Sequence, residues 1–246
     1  MNELLRRALG TMTRQADVRP VIVKSTILTI IAAGSAVGYF HYLVFVVSGG
    51  GGLTGQDPWT SLMIELVLLT FVLFLSALVG FSFSERLDLP GFGQFREFIR
   101  ALPILVVGGI AMVAISYVVF DRYFFAISPV SIPRGTFYLV TIPLKAALAD
   151  ETILRLGLVT IGVSLTKNKT AGVILMSAVS SLFTVKYFEF IGIPFALDHF
   201  YIIYLLLSFL GNIILGWLFV TRGLAYCMAL KFVIGCKYFL IPWLDV

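Results

Sequence analysis

The sequence predicts an all-α membrane protein, a polytopic bundle of about seven transmembrane helices. Three observations favour this fold class. The 246 residues are 59% hydrophobic and only 13% charged, with a mean hydropathy of +1.01. Apolar segments of about 20 residues recur, and each is long enough to cross a hydrocarbon core as helix. Lys and Arg concentrate in alternate connections, as in short cytoplasmic loops. This composition excludes a water-soluble domain.

The apolar segments follow one another in chain order, and each is bounded by basic or turn-forming residues. The first is a retained span rather than a signal peptide, because about 20 residues precede it and it exceeds the 7–15 residues of a signal core. The spans are expected near residues 21–47, 59–83, 101–120, 136–165, 170–188, 200–220 and 224–241.

The basic residues orient these spans. One set precedes the first span or follows the second, fourth and sixth: Arg6, Arg7, Arg14, Arg19, Lys24, Arg86, Arg96, Arg100, Lys167, Lys169 and Arg222. The alternate connections hold few. We therefore expect a multi-pass protein of the cell membrane with a cytoplasmic amino terminus. The net charge of +5 requires no nucleic acid, since this bias and an anionic lipid bilayer account for it.

Neither an internal repeat nor a low-complexity tract divides the chain. Residues 1–135 form an N-terminal three-span segment with a basic cytoplasmic tail and an interfacial loop. Within that loop, the mixed charges and phenylalanines of Ser84–Arg100 favour a short amphipathic helix. Residues 136–246 form a four-helix core.

Several polar residues within the spans have structural interpretations. We expect Glu65 to extend toward the interface from the second span. His41 and Asn212 are typical of side chains that form hydrogen bonds between helices in a membrane. Cys227 and Cys236 share one span without a Cys-x-x-Cys motif, and they are expected to pack as small apolar residues.

The most informative feature is the run of Asp150, Glu151 and Arg155 inside the fourth span. A charge at bilayer depth costs about 2.5–3.5 kcal/mol on insertion scales, so three of them require partners or a function. Glu151 and Arg155 are four residues apart and can pair across one helical turn. Lys186 and Lys231, on two other spans, could approach them. The cluster is either a charge-balanced core that fixes helix packing or a catalytic or binding cavity.

These residues resemble a known family. The sequence Asp150-Glu151-Thr-Ile-Leu-Arg155 is similar to the Glu-Glu-x-x-x-Arg motif of the CPBP (Abi) membrane proteins. That family includes type II CAAX prenyl endopeptidases and bacteriocin-processing or self-immunity proteins. The stretch 180–187, with Phe183 and Tyr187, resembles its Phe-x-x-x-His helix, and residues 211–223 resemble the segment that leads into its last His-x-x-x-Asn helix. The resemblance covers residues 136–243.

The resemblance implies a CPBP-like core in the last four helices and a definite set of motif positions. In the family, the leading acid is taken as the general base that activates a water. The two histidines and the Asn help to hold the water or a metal and to stabilise the oxyanion. Here Asp150 occupies the leading position and Tyr187 the first His position. Phe232, beside Lys231, occupies the second His position, and Cys236 occupies the Asn position.

The candidate catalytic residues are therefore Asp150, Glu151, Arg155, Tyr187 and Lys231. His199, in the sequence Phe195-Ala-Leu-Asp-His199, offers an alternative match to the Phe-x-x-x-His pattern. Because no cluster of His or Cys ligands remains, we expect neither a metal nor another cofactor.

The missing histidines lead us to expect a catalytically degenerate CPBP-like protein that binds or stabilises a membrane partner. One alternative is a divergent, acid-dependent intramembrane endopeptidase that takes a peptide substrate. A second alternative is a transporter or ion pathway that uses the same charges. A peptidase requires a cavity that joins Asp150 to the cytoplasmic side. A degenerate enzyme would show its acids sealed by Lys or Arg.

Overall fold

The structure, a computed structural model, describes residues 18–47, 57–122, 135–190 and 199–240. Side chains are described within these ranges except at residues 18, 47, 184–190, 199, 200 and 240. All regular elements in this part of the chain are helical, which confirms the predicted all-α fold class.

Eight helices follow one another along the described chain, and three of them include π-helical turns. They are α1 (Val18–His41, continued by a π-helical turn Tyr42–Val47), α2 (Pro58–Ser84), α3 (Phe95–Ser116, continued by Tyr117–Asp121), α4 (residues 136–166), α5 (Lys169–Phe190), α6 (His199–Arg222), α7 (Leu224–Gly235) and α8 (Lys237–Leu240).

Helix α4 alternates between two helical forms. It begins as an α-helix at Thr136–Lys145, becomes π-helical at Ala146–Asp150 and again at Thr152–Val159, and ends as an α-helix at Thr160–Thr166. A π-helix bonds residue i to i+5 rather than i+4, and such turns are frequent at functional sites. The change of form alters which side chains share a face just where the charged run lies.

Local signals set several helix boundaries. The Asp57 carboxylate accepts a hydrogen bond from the backbone N–H of Thr60 at 3.1 Å and so caps α2, whose first residue is Pro58. Lys167, with φ +55°, ends α4 in the left-handed region. Asn168 then caps α5 through the N–H of Ala171 at 3.1 Å. These signals account for the tight α4–α5 connection.

Four helical segments are long and apolar enough to cross a membrane: Arg19–Val46, Pro58–Ser84, Phe95–Asp121 and Tyr201–Arg222. The other three expected spans, on α4, α5 and α7, are not among these four. The apolar part of α5 that the structure describes is the shorter stretch Lys169–Phe183. Helix α4 carries four charged residues between positions 145 and 155, and α7 is only 12 residues long. The span count of seven stays a prediction. The structure also corrects one local expectation: 85–94 is a turn and loop and α3 begins at Phe95, so no separate amphipathic helix forms there.

The described helices pack as one bundle, with a large hydrophobic cluster and a smaller one that both contact Leu148 of α4. Helix α1 lies against α2 and α4, α3 lies against α7, and α5 contacts α4 and α6. Small residues permit the close approaches, as is common between membrane helices. A Cβ on Gly172 of α5 would lie 2.5 Å from the backbone nitrogen of Val163 in α4. A Cβ on Gly157 of α4 would lie 2.9 Å from the Ser76 side chain of α2.

Charged residues collect at one end of the bundle, which we call the basic end. It comprises the beginning of α1, the 85–94 loop, the α4–α5 connection and the α6–α7 connection. Two ion pairs lie there: Lys169 with Asp88 and Arg222 with Glu97, each with a nitrogen–oxygen distance of 3.6 Å. Both pairs are largely exposed to solvent.

Candidate functional site

The charged run lies on α4 at the junction of its two π-helical segments. Asp150 ends the first segment, and Thr152 begins the second. Glu151 connects them. This geometry directs the two adjacent acids into different surroundings, so each is described separately.

Glu151 pairs with Arg155 inside the bundle. The Arg155 Nε donates to Glu151 Oε2 at 3.0 Å, and both side chains are 0% exposed. The pairing expected from the four-residue spacing is confirmed. Because both charges are removed from solvent, each depends on the other and on further hydrogen bonds.

Asn212 of α6 supplies the next contacts of Arg155. The Nη2 atom donates a short hydrogen bond to the Asn212 side-chain oxygen, and Nη1 approaches the Asn212 carbonyl at 3.4 Å. The Asn212 amide nitrogen in turn donates to Ser181 of α5 at 3.4 Å. The predicted role of Asn212 as a link between helices is confirmed. We call the set Glu151, Arg155, Asn212 and Ser181 the interior network.

Three buried polar atoms on α4 and α5 have no hydrogen-bond partner among the described residues. They are Glu151 Oε1, Thr160 Oγ1 and Ser177 Oγ. An unpartnered buried carboxylate oxygen is costly, since its desolvation is not repaid by a donor. Glu151 is therefore satisfied on one oxygen only.

Asp150 pairs with a residue that the sequence did not single out. Lys145 Nζ lies 2.7 Å from Asp150 Oδ1, and the two side chains are 17% and 30% exposed. The same ammonium lies 4.4 Å from the centre of the Tyr39 ring of α1, a favourable cation–π arrangement. In an α-helix, residues five apart are separated by about 140° around the axis. The π-helical segment instead brings positions 145 and 150 together, which explains why the α-helical period did not predict the pair.

The remaining motif positions are less closely involved. Lys231 is partly buried and interacts electrostatically with both acids, but in the described part of the chain it forms no ion pair with either. Phe232 is 38% exposed, which places the second His position of the resemblance at the surface. The side chains of Tyr187, Lys186 and His199 lie outside the described residues.

Two further polar contacts lie elsewhere in the bundle. His41 Nδ1 lies 3.0 Å from the Tyr138 hydroxyl of α4, which confirms its expected role between helices. Asp121, buried at the end of the α3 segment, accepts from Lys237 at 2.7 Å and from Ser116 at 2.8 Å. Sequence reasoning missed this second pair, because Asp121 and Lys237 are 116 positions apart and share no motif.

The chemistry available to this arrangement is limited by its contacts. Asp150 is held by an ammonium, and Glu151 is held by a guanidinium. Within the described residues, no group of three His, Cys, Asp or Glu side chains could hold a metal ion. A cavity at the basic end reaches Leu148 of α4 but is lined by neither acid. These contacts describe a charge network that connects α4 to α1, α5 and α6.

Comparison with known proteins adds no relative: no family model, no curated protein sequence and no solved structure matches this chain.

Proposed function

We propose that this chain is a catalytically degenerate, CPBP-like protein of the cell membrane that acts by binding or stabilising a membrane partner. The amino terminus lies in the cytoplasm in this proposal, as the distribution of Lys and Arg indicates. The observation that carries it is the state of the two motif acids. Asp150 is bound by Lys145, and Glu151 is bound by Arg155 with no exposed surface.

A hydrolytic base must accept a proton from a water within hydrogen-bond reach. Asp150 Oδ1 is instead occupied by the Lys145 ammonium at 2.7 Å, so a water would have to compete with that ammonium for the same oxygen. A peptidase also needs donors aimed at the developing oxyanion. In the CPBP motifs, two His and one Asn help to stabilise the oxyanion. The corresponding positions here hold Tyr187, Phe232 and Cys236, and Phe232 faces the surface. The paired acids and the missing donors therefore favour a structural role for these charges over a catalytic one.

Membrane location is supported by the four apolar helices and by their exposed surface. Large apolar side chains such as Ile30, Val67, Ile104 and Val107 are more than 60% exposed, which would be costly in water. A bilayer, or a partner protein within it, would cover such side chains.

The activity test uses wild type reconstituted in liposomes with prenylated and unprenylated reporter peptides. We expect no cleavage above that of protein-free liposomes. The matched control is Asp88→Asn, the same change at an exposed acid of the basic end. Cleavage by wild type and Asp88→Asn that disappears in Asp150→Asn at equal abundance would overturn the proposal.

The binding test places a photo-reactive residue at one exposed apolar position per variant in cell membranes. Ile30 samples the groove between α1 and α2, and Ile104 and Trp217 sample the groove between α3 and α6. A partner that docks on one face should yield a discrete crosslinked product from one or two of these positions. Absence of a product at every position would contradict the binding role.

A divergent acid-dependent peptidase is the second candidate, and one observation favours it. Glu151 Oε1 is buried without a hydrogen-bond partner in the described chain, so it could receive a proton or a water. Under this candidate, Glu151→Gln rather than Asp150→Asn abolishes cleavage. The same reporter assay therefore separates the two acids.

A further inference from the structure

A cavity of about 540 Å³ opens at the basic end, between α1, the end of α2 and the loop that follows it. We propose that it binds a phospholipid with a primary-amine headgroup, such as phosphatidylethanolamine. One acyl chain enters the cavity, and the headgroup meets charged residues at its rim. The inference rests on the membrane location proposed above but is independent of whether catalysis has been lost.

The lining favours an acyl chain. Aliphatic and aromatic side chains dominate it, with Ile27, Leu28 and Ile31 on α1 and with Leu148 of α4 and Met228 of α7 toward the bundle interior. Burying such a surface against a hydrocarbon chain is favourable, and the volume lies within the usual range for small-ligand sites. A helix about 10 Å wide occupies about 120 Å³ per residue, so this cavity would hold fewer than about five helical residues. Its size therefore suits a lipid chain better than a helix of a protein partner.

The rim supplies two opposite charges. Lys24 of α1 and Glu85 at the end of α2 both line the cavity, both are exposed, and in the described chain neither forms an ion pair. An ammonium such as that of Lys24 binds phosphate as a point charge. A carboxylate such as that of Glu85 accepts hydrogen bonds from a primary ammonium, which a quaternary choline cannot donate. The same carboxylate repels a headgroup with a net negative charge. The pair thus selects a zwitterionic aminoethyl headgroup.

The loop that lines the cavity is fastened to α7. The backbone N–H of Leu224 donates to the Gly91 carbonyl at 2.9 Å, and that of Ala225 donates to the Phe92 carbonyl at 3.1 Å. These are N–H groups of the first turn of α7, which have no acceptor within the helix itself. Gly223, with φ +107°, permits the approach, since a Cβ there would lie 2.6 Å from the Gly93 nitrogen. Because these hydrogen bonds fix the loop, less conformational entropy of the loop is lost when a ligand binds.

The test measures lipid retained by the full chain after mild detergent extraction from membranes. Native mass spectrometry then follows the addition of phosphatidylethanolamine, phosphatidylcholine or phosphatidylglycerol. We expect wild type to bind the first about tenfold more tightly than the other two, because a charge-assisted hydrogen bond supplies a factor of that order.

Three variants and one control locate the site. Ile27→Trp fills the cavity and should abolish lipid retention. Ile30→Trp is the control: Ile30 is three residues further along α1 and lines the neighbouring groove between α1 and α2, so lipid retention should be unchanged. Lys24→Gln should weaken binding of all three lipids about tenfold. Glu85→Gln should remove the preference for phosphatidylethanolamine over phosphatidylglycerol. Monodisperse elution by size exclusion confirms that each variant is folded.

Two results would overturn the proposal while leaving the membrane location intact. One is equal binding of the three lipids by membrane-extracted wild type. The other is equal retention by Ile27→Trp and Ile30→Trp. Recovery of wild type outside the membrane fraction would instead refute the membrane location, and the lipid site with it.

Discussion

The interior of the bundle and its basic end both contain ion pairs, but the two environments give these pairs different weight. In the interior, Glu151 and Arg155 are fully buried, and Arg155 also donates to Asn212 of α6. At the basic end, Arg222 and Glu97 are about half exposed and stand 3.6 Å apart. Water solvates the second pair whether or not it forms, whereas the first has only protein around it. Burial therefore predicts which charges the fold depends on.

Loss of Arg155 should have the largest effect. Arg155→Ala leaves Glu151 buried without its counter-ion, and breaking a buried pair typically costs about 3–5 kcal/mol. We expect low abundance in membranes and loss of monodisperse protein in detergent. Western blotting of membrane fractions, followed by size exclusion, measures both. Normal abundance would show that the interior pair is dispensable.

Removing Asn212 should have the next largest effect. Asn212→Ala deletes the acceptor of the Arg155 Nη2 hydrogen bond while leaving the ion pair intact. Loss of a partner from a buried charged donor costs about 1–3 kcal/mol. The midpoint of thermal unfolding in detergent should fall measurably but less than for Arg155→Ala. Thr221→Ala, at an exposed residue of the same helix whose hydroxyl donates to the Trp217 carbonyl at 2.7 Å, is the control and should leave the midpoint nearly unchanged.

Loss of the Lys145–Asp150 pair should destabilise the protein less than a change in the interior network and more than a change at the basic end. Its side chains are 17% and 30% exposed, so solvent compensates part of the lost attraction. We expect Asp150→Asn to reduce the free energy of unfolding by about 1 kcal/mol, at the upper limit for partly solvated pairs. Thermal unfolding in the same detergent checks this value. A loss as large as that of Arg155→Ala would mean that Asp150 belongs to the interior network.

The smallest effect is expected at the basic end. Arg222→Ala removes a half-exposed guanidinium whose ion pair contributes little in water, so the unfolding free energy should change by less than about 0.5 kcal/mol. It is also the control for Arg155→Ala, because both variants delete the same side chain. Similar abundance losses in both would remove the distinction between the two environments.

The sequence predicted those parts of the site that follow the α-helical period or the chemistry of a single residue. The spacing of Glu151 and Arg155 predicted their pairing, and the isolation of Asn212 and His41 among apolar residues predicted contacts between helices. It could not predict the Lys145–Asp150 pair, because α-helical geometry places those residues on different faces. The π-helical turn that joins them has no signal in the residues themselves.

Contacts between residues that are far apart in the chain also could not be predicted from the sequence. Arg155 meets Asn212 57 positions later, and Asp121 meets Lys237 116 positions later. The sequence indicated that each charge inside the bundle needs a partner, but it could not identify that partner. The loop of residues 85–94, expected to include an amphipathic helix, instead binds the first turn of α7, since unpaired backbone N–H groups were available there.

Glu151 and Arg155 act as a unit that stabilises the fold. A double-mutant cycle of Glu151→Gln, Arg155→Met and the combined variant tests it most directly, with thermal unfolding in detergent as the readout. If the claim is correct, the combined variant is more stable than Arg155→Met alone, because no carboxylate is left buried and unpaired. Losses of stability that simply add would contradict it and would show that the two charges contribute independently.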